Sequence, residues 1–264
     1  MDLLRRLLPL VGINAIPVIG VFWQGWSGAT ALTLYWWENL IGSLLVVARI
    51  VIHRALTRKR GYQRLQLQLQ SGDGPPKRRP GKPLRPPRGE QKGSFLAEFL
   101  VAACAATAIH GLLLWLVVGK LLAARPDATA LRHGVLGVGA IQLAAFGLDL
   151  LGIRQRPFAW IRELAQTTVN RVTLIHLVVI VGMWVGLQTG TVGVFGPFAV
   201  LKFLADIGNL LARLGVRADP DEMPPWVAGA VNKVGPKGGD FAEYWRESKA
   251  EEKRLLAQDE QIAR

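Results

Sequence analysis

The chain has 264 residues, half of them apolar and nine of them Trp, with 32 basic against 19 acidic side chains and a formal net charge of +13. A mean hydropathy of +0.26 beside 19% charged residues requires charge to be segregated: segments 7–53, 95–122, 134–153 and 168–214 carry nine of the 51 charges. That pattern marks a multi-pass membrane protein and excludes basic soluble, disordered and collagen-like classes, while the lone Cys104 excludes a disulfide scaffold.

A hydrocarbon core of about 30 Å takes about 20 helical residues per crossing. The apolar regions then divide into six spans, 7–24, 29–52, 95–119, 134–153, 168–187 and 192–213. The fold class read from the sequence is all-α, a polytopic integral membrane helical bundle of six transmembrane helices. Spans 1 and 2 flank Trp23-Gln24-Gly25-Trp26-Ser27-Gly28, a glycine turn with Trp rings suited to the headgroup level. Spans 5 and 6 flank the uncharged Gln188-Thr189-Gly190-Thr191, and both pairs read as tight hairpins. Residues 1–31 also match a signal-peptide pattern at Ala29-Thr30-Ala31, but the long apolar run that follows at once fits a hairpin better.

Between spans 2 and 3, segment 54–94 holds twelve basic and two acidic residues. Its stretch 71–93, with seven Lys or Arg and six Pro, is expected to be a disordered basic cytoplasmic loop. It either fixes topology or attracts anionic headgroups through residues such as Lys77, Arg78 and Arg79. Nucleic acid is not an expected partner, because no aromatic residues interleave with these charges to stack on bases. Gln66 to Gln70 alternates with period two, as a short strand or as low complexity.

Between spans 4 and 5, residues 154–164 read as interfacial, with Arg154 and Arg156 meeting phosphates and Phe158, Trp160, Ile161 and Leu164 facing lipid. The tail from 215 carries eight basic and ten acidic residues. A soluble helix is expected over about 240–262, begun by Asp240 and Glu243, with Phe241 and Trp245 on one face. That face either docks on the membrane or a cytoplasmic protein partner, or is the apolar edge of a solvated helix. Loops 25–28, 120–133 and 188–191 hold only Lys120, Arg125 and Arg132 against Asp127. The positive-inside rule therefore puts both termini in the cytoplasm, N-in and C-in, of a bacterial cytoplasmic membrane.

Ionisable groups inside a bilayer are expensive and usually face the bundle interior. The candidates within the spans are Glu38, His110, Asp149, Arg171, His176, Lys202 and Asp206, with Asn14 and Asn39 adding amides. At about 1.5 Å per residue, Glu38 and Lys202 lie near the midplane and Asp206, His176 and Asp149 nearer the cytoplasmic edge. The economical arrangement is a polar column, Glu38 with Lys202 and then Asp206 with His176 or Arg171. Pro17 should also free a carbonyl near Ile13 and Asn14, a site for a cation or hydroxyl. His53 and His133, at span ends, read as interfacial.

Three readings of the column stay open: charges that clip helices together, a translocation or binding path at the midplane, and an intramembrane acid–base or metal enzyme. The sequence has no H-E-x-x-H, paired Cys, G-x-S-x-G or phosphate loop, so no metal site, cofactor or catalytic residue is assigned. A fourth reading is a membrane subunit that anchors a partner through its loop and tail.

The opening hairpin, Asn14-x-x-Pro17-x-x-Gly20, then Gly25-Trp26 and Tyr35-Trp36-x-Glu38-Asn39, resembles an uncharacterised bacterial and archaeal membrane family, domain of unknown function 6498. Arg171-x-x-x-x-His176 and Lys202-x-x-x-Asp206 extend the likeness over residues 10–210. Only Ile109-His110-Gly111 echoes the aromatic- and His-rich signature that the family often carries around spans 3 and 4. The resemblance implies a membrane core and carries over no activity.

Overall fold

The computed structural model describes residues 2–63, 93–121, 124–171, 196, 199–204, 206–208 and 241–263. Among these the chain is all-α without a strand. Helix α1 covers Asp2–Trp23, α2 Gly28–Thr57, α3 Phe95–Leu114 and α4 Ala128–Leu150. Helix α5 runs over 158–171, α6 over 199–204 and 206–208, and α7 over Phe241–Asp259. Helices α2, α3 and α4 are long and apolar enough to cross a membrane, and Leu7–Trp23 of α1 is a shorter apolar helix. Most of the expected spans 168–187 and 192–213 falls outside the described residues, as do the basic loop 64–92 with Lys77, Arg78 and Arg79, and His176.

The α1–α2 turn is built by its sequence. Gly25 takes φ +69°, in the left-handed region that glycine favours. Trp26 folds back so that its N–H donates to Gly20 O at 2.9 Å, and its ring occupies the space a Cβ at Gly20 would need. Ser27 then caps α2, its Oγ accepting from Thr30 N at 3.1 Å. The same Thr30 hydroxyl accepts from Asp127 N at 2.9 Å, while Asp127 caps α4 through Ala130 N at 2.9 Å. The starts of α2 and α4 are thereby tied together and the two run parallel. Asp127 also explains why α4 begins at Ala128, six residues ahead of the apolar run expected from 134. Helix α3 continues past Leu114 as a π-helical stretch, Trp115–Leu121.

Two buried apolar clusters lie toward opposite ends of α2. One gathers Ala29, Ala31, Leu32 and Tyr35 with Leu114 and Val118. The other gathers Val46 and Ile50 with Tyr62, Phe95, Phe99, Phe158 and Ile161. In the second, Tyr62, Phe95 and Phe158 meet edge to face at ring separations of 4.8 to 6.1 Å. This corrects the expectation that Phe158 and Ile161 face lipid, since both are fully buried. A 3-10 turn at Ile153–Gln155 rolls α5 so that its apolar face meets Tyr62 and Phe95, and Trp160 is only half-buried beneath the Arg156 guanidinium, 5.5 Å from its ring.

His53, expected at the interface, is also fully buried. Its Nε2 lies 2.9 Å from Arg156 O and its Nδ1 2.5 Å from the Tyr62 hydroxyl. A carbonyl only accepts, so Nε2–H donates to it and Nδ1 accepts from Tyr62. Burial pushes the Tyr62 hydroxyl well above the ordinary phenol range, which keeps that proton in place.

The C-terminal residues fasten to the same end. Arg60 N donates to Gln261 O and Ala263 N to Arg58 O, each at 2.8 Å, making the isolated bridge between Lys59 and Ile262. Glu260 pairs with Lys59 at 2.5 Å and accepts from Ala159 N at 3.1 Å. Of the tail's expected apolar face, Trp245 is half-buried, with the Lys249 ammonium 5.1 Å from its ring. Removing residues 260–263 is expected to raise amide exchange in α7 and in residues 58–62. The partly solvated Lys59–Glu260 pair and the three hydrogen bonds lost with it should together cost about 2 to 4 kcal/mol. A fall in the unfolding midpoint without the local rise in exchange would contradict this.

Candidate functional site

Where α1, α2, α5 and α6 meet, five polar side chains converge. Lys202 Nζ, 1% exposed, reaches Asn14 Oδ1 at 2.8 Å, Asp206 Oδ2 at 3.0 Å and Glu38 Oε1 at 3.3 Å. The first two are hydrogen bonds and the third is an ion-pair contact. The same ammonium lies 4.8 Å from the Tyr35 ring centroid. Arg171 pairs with Glu38 Oε1, and its Nε lies 3.1 Å from Asp206 Oδ1. Two carboxylates and two cations thus balance. Spacing explains the assembly: Lys202 and Asp206, four apart, share one face of α6, and Tyr35 and Glu38, three apart, share one face of α2.

Asn14 has a different part from the one expected of it. Its Nδ2 donates to Leu10 O at 2.9 Å and to Asp206 Oδ2 at 3.0 Å while its Oδ1 accepts from Lys202. The amide is occupied as a joint between α1 and α6, so it is no vacant cation or hydroxyl site beside a freed carbonyl.

The cluster forms one end of a cavity of about 410 Å³, within the range of about 300 to 1,000 Å³ usual for small-molecule sites. The cavity runs between α1, α2, α4 and α5, past Asn39, Gln142 and the Arg49–Asp149 pair, to Arg156 and Trp160. Arg49 is buried, with Nε 3.0 Å and Nη2 2.9 Å from Asp149 Oδ2. A second cavity, of about 460 Å³, lies at the other end of the bundle around the α1–α2 turn, bordered by Arg125, Asp127 and the exposed His133.

Of the residues singled out from the sequence, Asn14, Glu38, Arg171, Lys202 and Asp206 come together, and Asn39 lines the cavity beside them. His110 is buried in α3 but belongs to neither the cluster nor the cavity wall. Arg154 and Arg156 are exposed at the far end. Sequence reasoning missed Arg49 and Gln142. Arg49 follows Glu38 by eleven residues, three turns, and so occupies the same face of α2. That offset was the available signal for it, and for Gln142 the signal was an amide in an otherwise apolar helix.

No curated protein and no solved structure matches the chain. A family model described as a family of unknown function, DUF6498, matches residues 2–224, which include the hairpin turn, the charge cluster and all the cavity walls. By that match over nearly its whole length, the chain belongs to the family of unknown function DUF6498.

Proposed function

We propose that the protein is a multi-pass membrane protein that binds, and passes across the bilayer, a small polar solute or ion at the midplane. The observation that carries this reading is the cavity of about 410 Å³ that ends on a buried, balanced cluster of four charges. The helices around it are inverted relative to a water-soluble protein. Leu44, Val101, Leu112, Leu136 and Leu143 point outward, each more than half exposed, while the polar groups lie inside. The excess of Lys and Arg at the end of α2 and before α5 supports placing that end, and the cavity mouth at Arg156, in the cytoplasm.

The reading is tested by thiol chemistry in a Cys104→Ser background. Only a hydrated thiol ionises and reacts, so Thr168→Cys on the cavity wall should be labelled by a water-soluble methanethiosulfonate more than about tenfold faster than the outward-facing Leu44→Cys. Equal, slow labelling at both sites would leave a dry bundle whose charges only clip helices. That second reading is favoured by one observation, the three oxygens of Asn14, Asp206 and Glu38 already gathered within 3.3 Å of Lys202 Nζ.

A further inference from the structure

Four buried polar atoms on the cavity wall have no hydrogen-bond partner: Glu38 Oε2, Asn39 Nδ2, Gln142 Oε1 and Arg171 Nε, the last held only by its ion-pair contact with Asp206. Glu38, Asn39 and Gln142 are 1%, 6% and 7% exposed, and all four residues line the same cavity. They are also neighbours. Glu38 and Asn39 are consecutive on α2, and Gln142 Nε2 donates to the carbonyl of Glu38 itself at 3.1 Å. That bond fixes the Gln142 amide, so its oxygen is the free end. Glu38 presents its oxygens unequally, because Oε1 takes both Arg171 and Lys202. The unmet set is therefore two acceptors, Glu38 Oε2 and Gln142 Oε1, and two donors, Asn39 Nδ2 and Arg171 Nε. Buried polar groups in folded proteins are almost always satisfied, so this set points to a ligand or to water.

Charge narrows the ligand class. Around the site Glu38, Asp206, Arg171 and Lys202 cancel, as do Arg49 and Asp149. An anion placed there meets Glu38, and a cation adds to Arg171 and Lys202, so a charged solute upsets a balance that a neutral one preserves. A primary carboxamide offers two N–H donors for Glu38 Oε2 and Gln142 Oε1, and a carbonyl whose two lone pairs suit Asn39 Nδ2 and Arg171 Nε. Water has the same valence, which makes water the occupant that the ligand displaces.

We propose that Glu38, Asn39 and Gln142 form a recognition site for a small uncharged solute of the carboxamide or urea type. The proposal rests on the polar-solute reading above and specifies what that cavity takes.

The test is saturation-transfer NMR on the full chain in lipid nanodiscs with acetamide as the probe. A saturable signal is expected, displaced by urea. N,N-dimethylacetamide, which has no N–H, acetate and methylammonium should each compete at least about tenfold more weakly. Asn39→Leu and Gln142→Leu should each cut the acetamide signal several-fold, and Leu44→Ala on the outer face should leave it unchanged. Equal competition by dimethylacetamide or by either ion overturns the proposal, and so does a signal that survives both cavity substitutions. The competition series uses unaltered protein, so it decides the question even if a variant fails to fold. Rapid labelling of Thr168→Cys without saturable acetamide binding rejects the ligand class and keeps the hydrated cavity. Absence of both rejects the two together.

Discussion

Replacing Lys202 by Met is expected to destabilise the protein by about 3 to 5 kcal/mol, the usual consequence of removing one partner from a buried ionic group. Lys202 is 1% exposed, and its loss leaves Glu38 and Asp206 to share Arg171 while Asn14 Oδ1 loses its donor. The harm lies in the imbalance more than in the missing contacts. Adding Asp206→Asn to Lys202→Met restores neutrality around the Glu38–Arg171 pair, so the double variant should regain most of the loss. Unfolding midpoints and the yield of monodisperse protein measure both. A double variant no better than the single one would show that each charge is satisfied separately.

Phe158→Ala should cost a comparable amount, about 3 to 5 kcal/mol, for a different reason. Phe158 is fully buried, its ring packs edge-on to Tyr62 and Phe95, and it lies where a Cβ on Gly61 would overlap it. Gly61 has no side chain to refill the gap that loss of the ring above it would leave. Between helices in lipid, removing an apolar side chain gives up contacts but little hydrophobic free energy. Phe158 and Tyr62 lie in the segments before span 5 and after span 2, at the edge of the apolar stretch where the cluster meets spans 2 and 3, so on the proposed orientation water competes there and most of the penalty applies. Phe158→Leu should cost less than about 1.5 kcal/mol. Denaturant midpoints for the two variants check the ordering, and equal losses would contradict it.

What could be read from the sequence follows the energetics. Glu38, Lys202 and Asp206 stand out because an ionisable group in an apolar helix needs a partner, and the i, i+4 spacing on α6 already put two of them on one face. Arg49 was hidden by its position near the end of the same apolar run, where a basic residue reads as an interfacial anchor. Phe158 and Ile161 were misassigned because an amphipathic pattern is the same whether its apolar face meets lipid or Tyr62 and Phe95, and only packing decides. His53 posed the same difficulty. The early start of α4 was masked because hydropathy finds the apolar part of a helix, whereas the Asp127 cap determines where the helix begins.

The separation in sequence between the members of the charge cluster sets a timetable. Glu38 is 133 residues ahead of Arg171 and Asn14 is 188 ahead of Lys202. At about 5 to 20 residues per second, Glu38 waits roughly 7 to 27 s after its synthesis before Arg171 exists to pair with it. On the proposed membrane reading, the first hairpin therefore enters the bilayer with an unanswered carboxylate. The agent that inserts it must shelter Glu38 through that interval, or α2 must remain only partly inserted until α5 arrives.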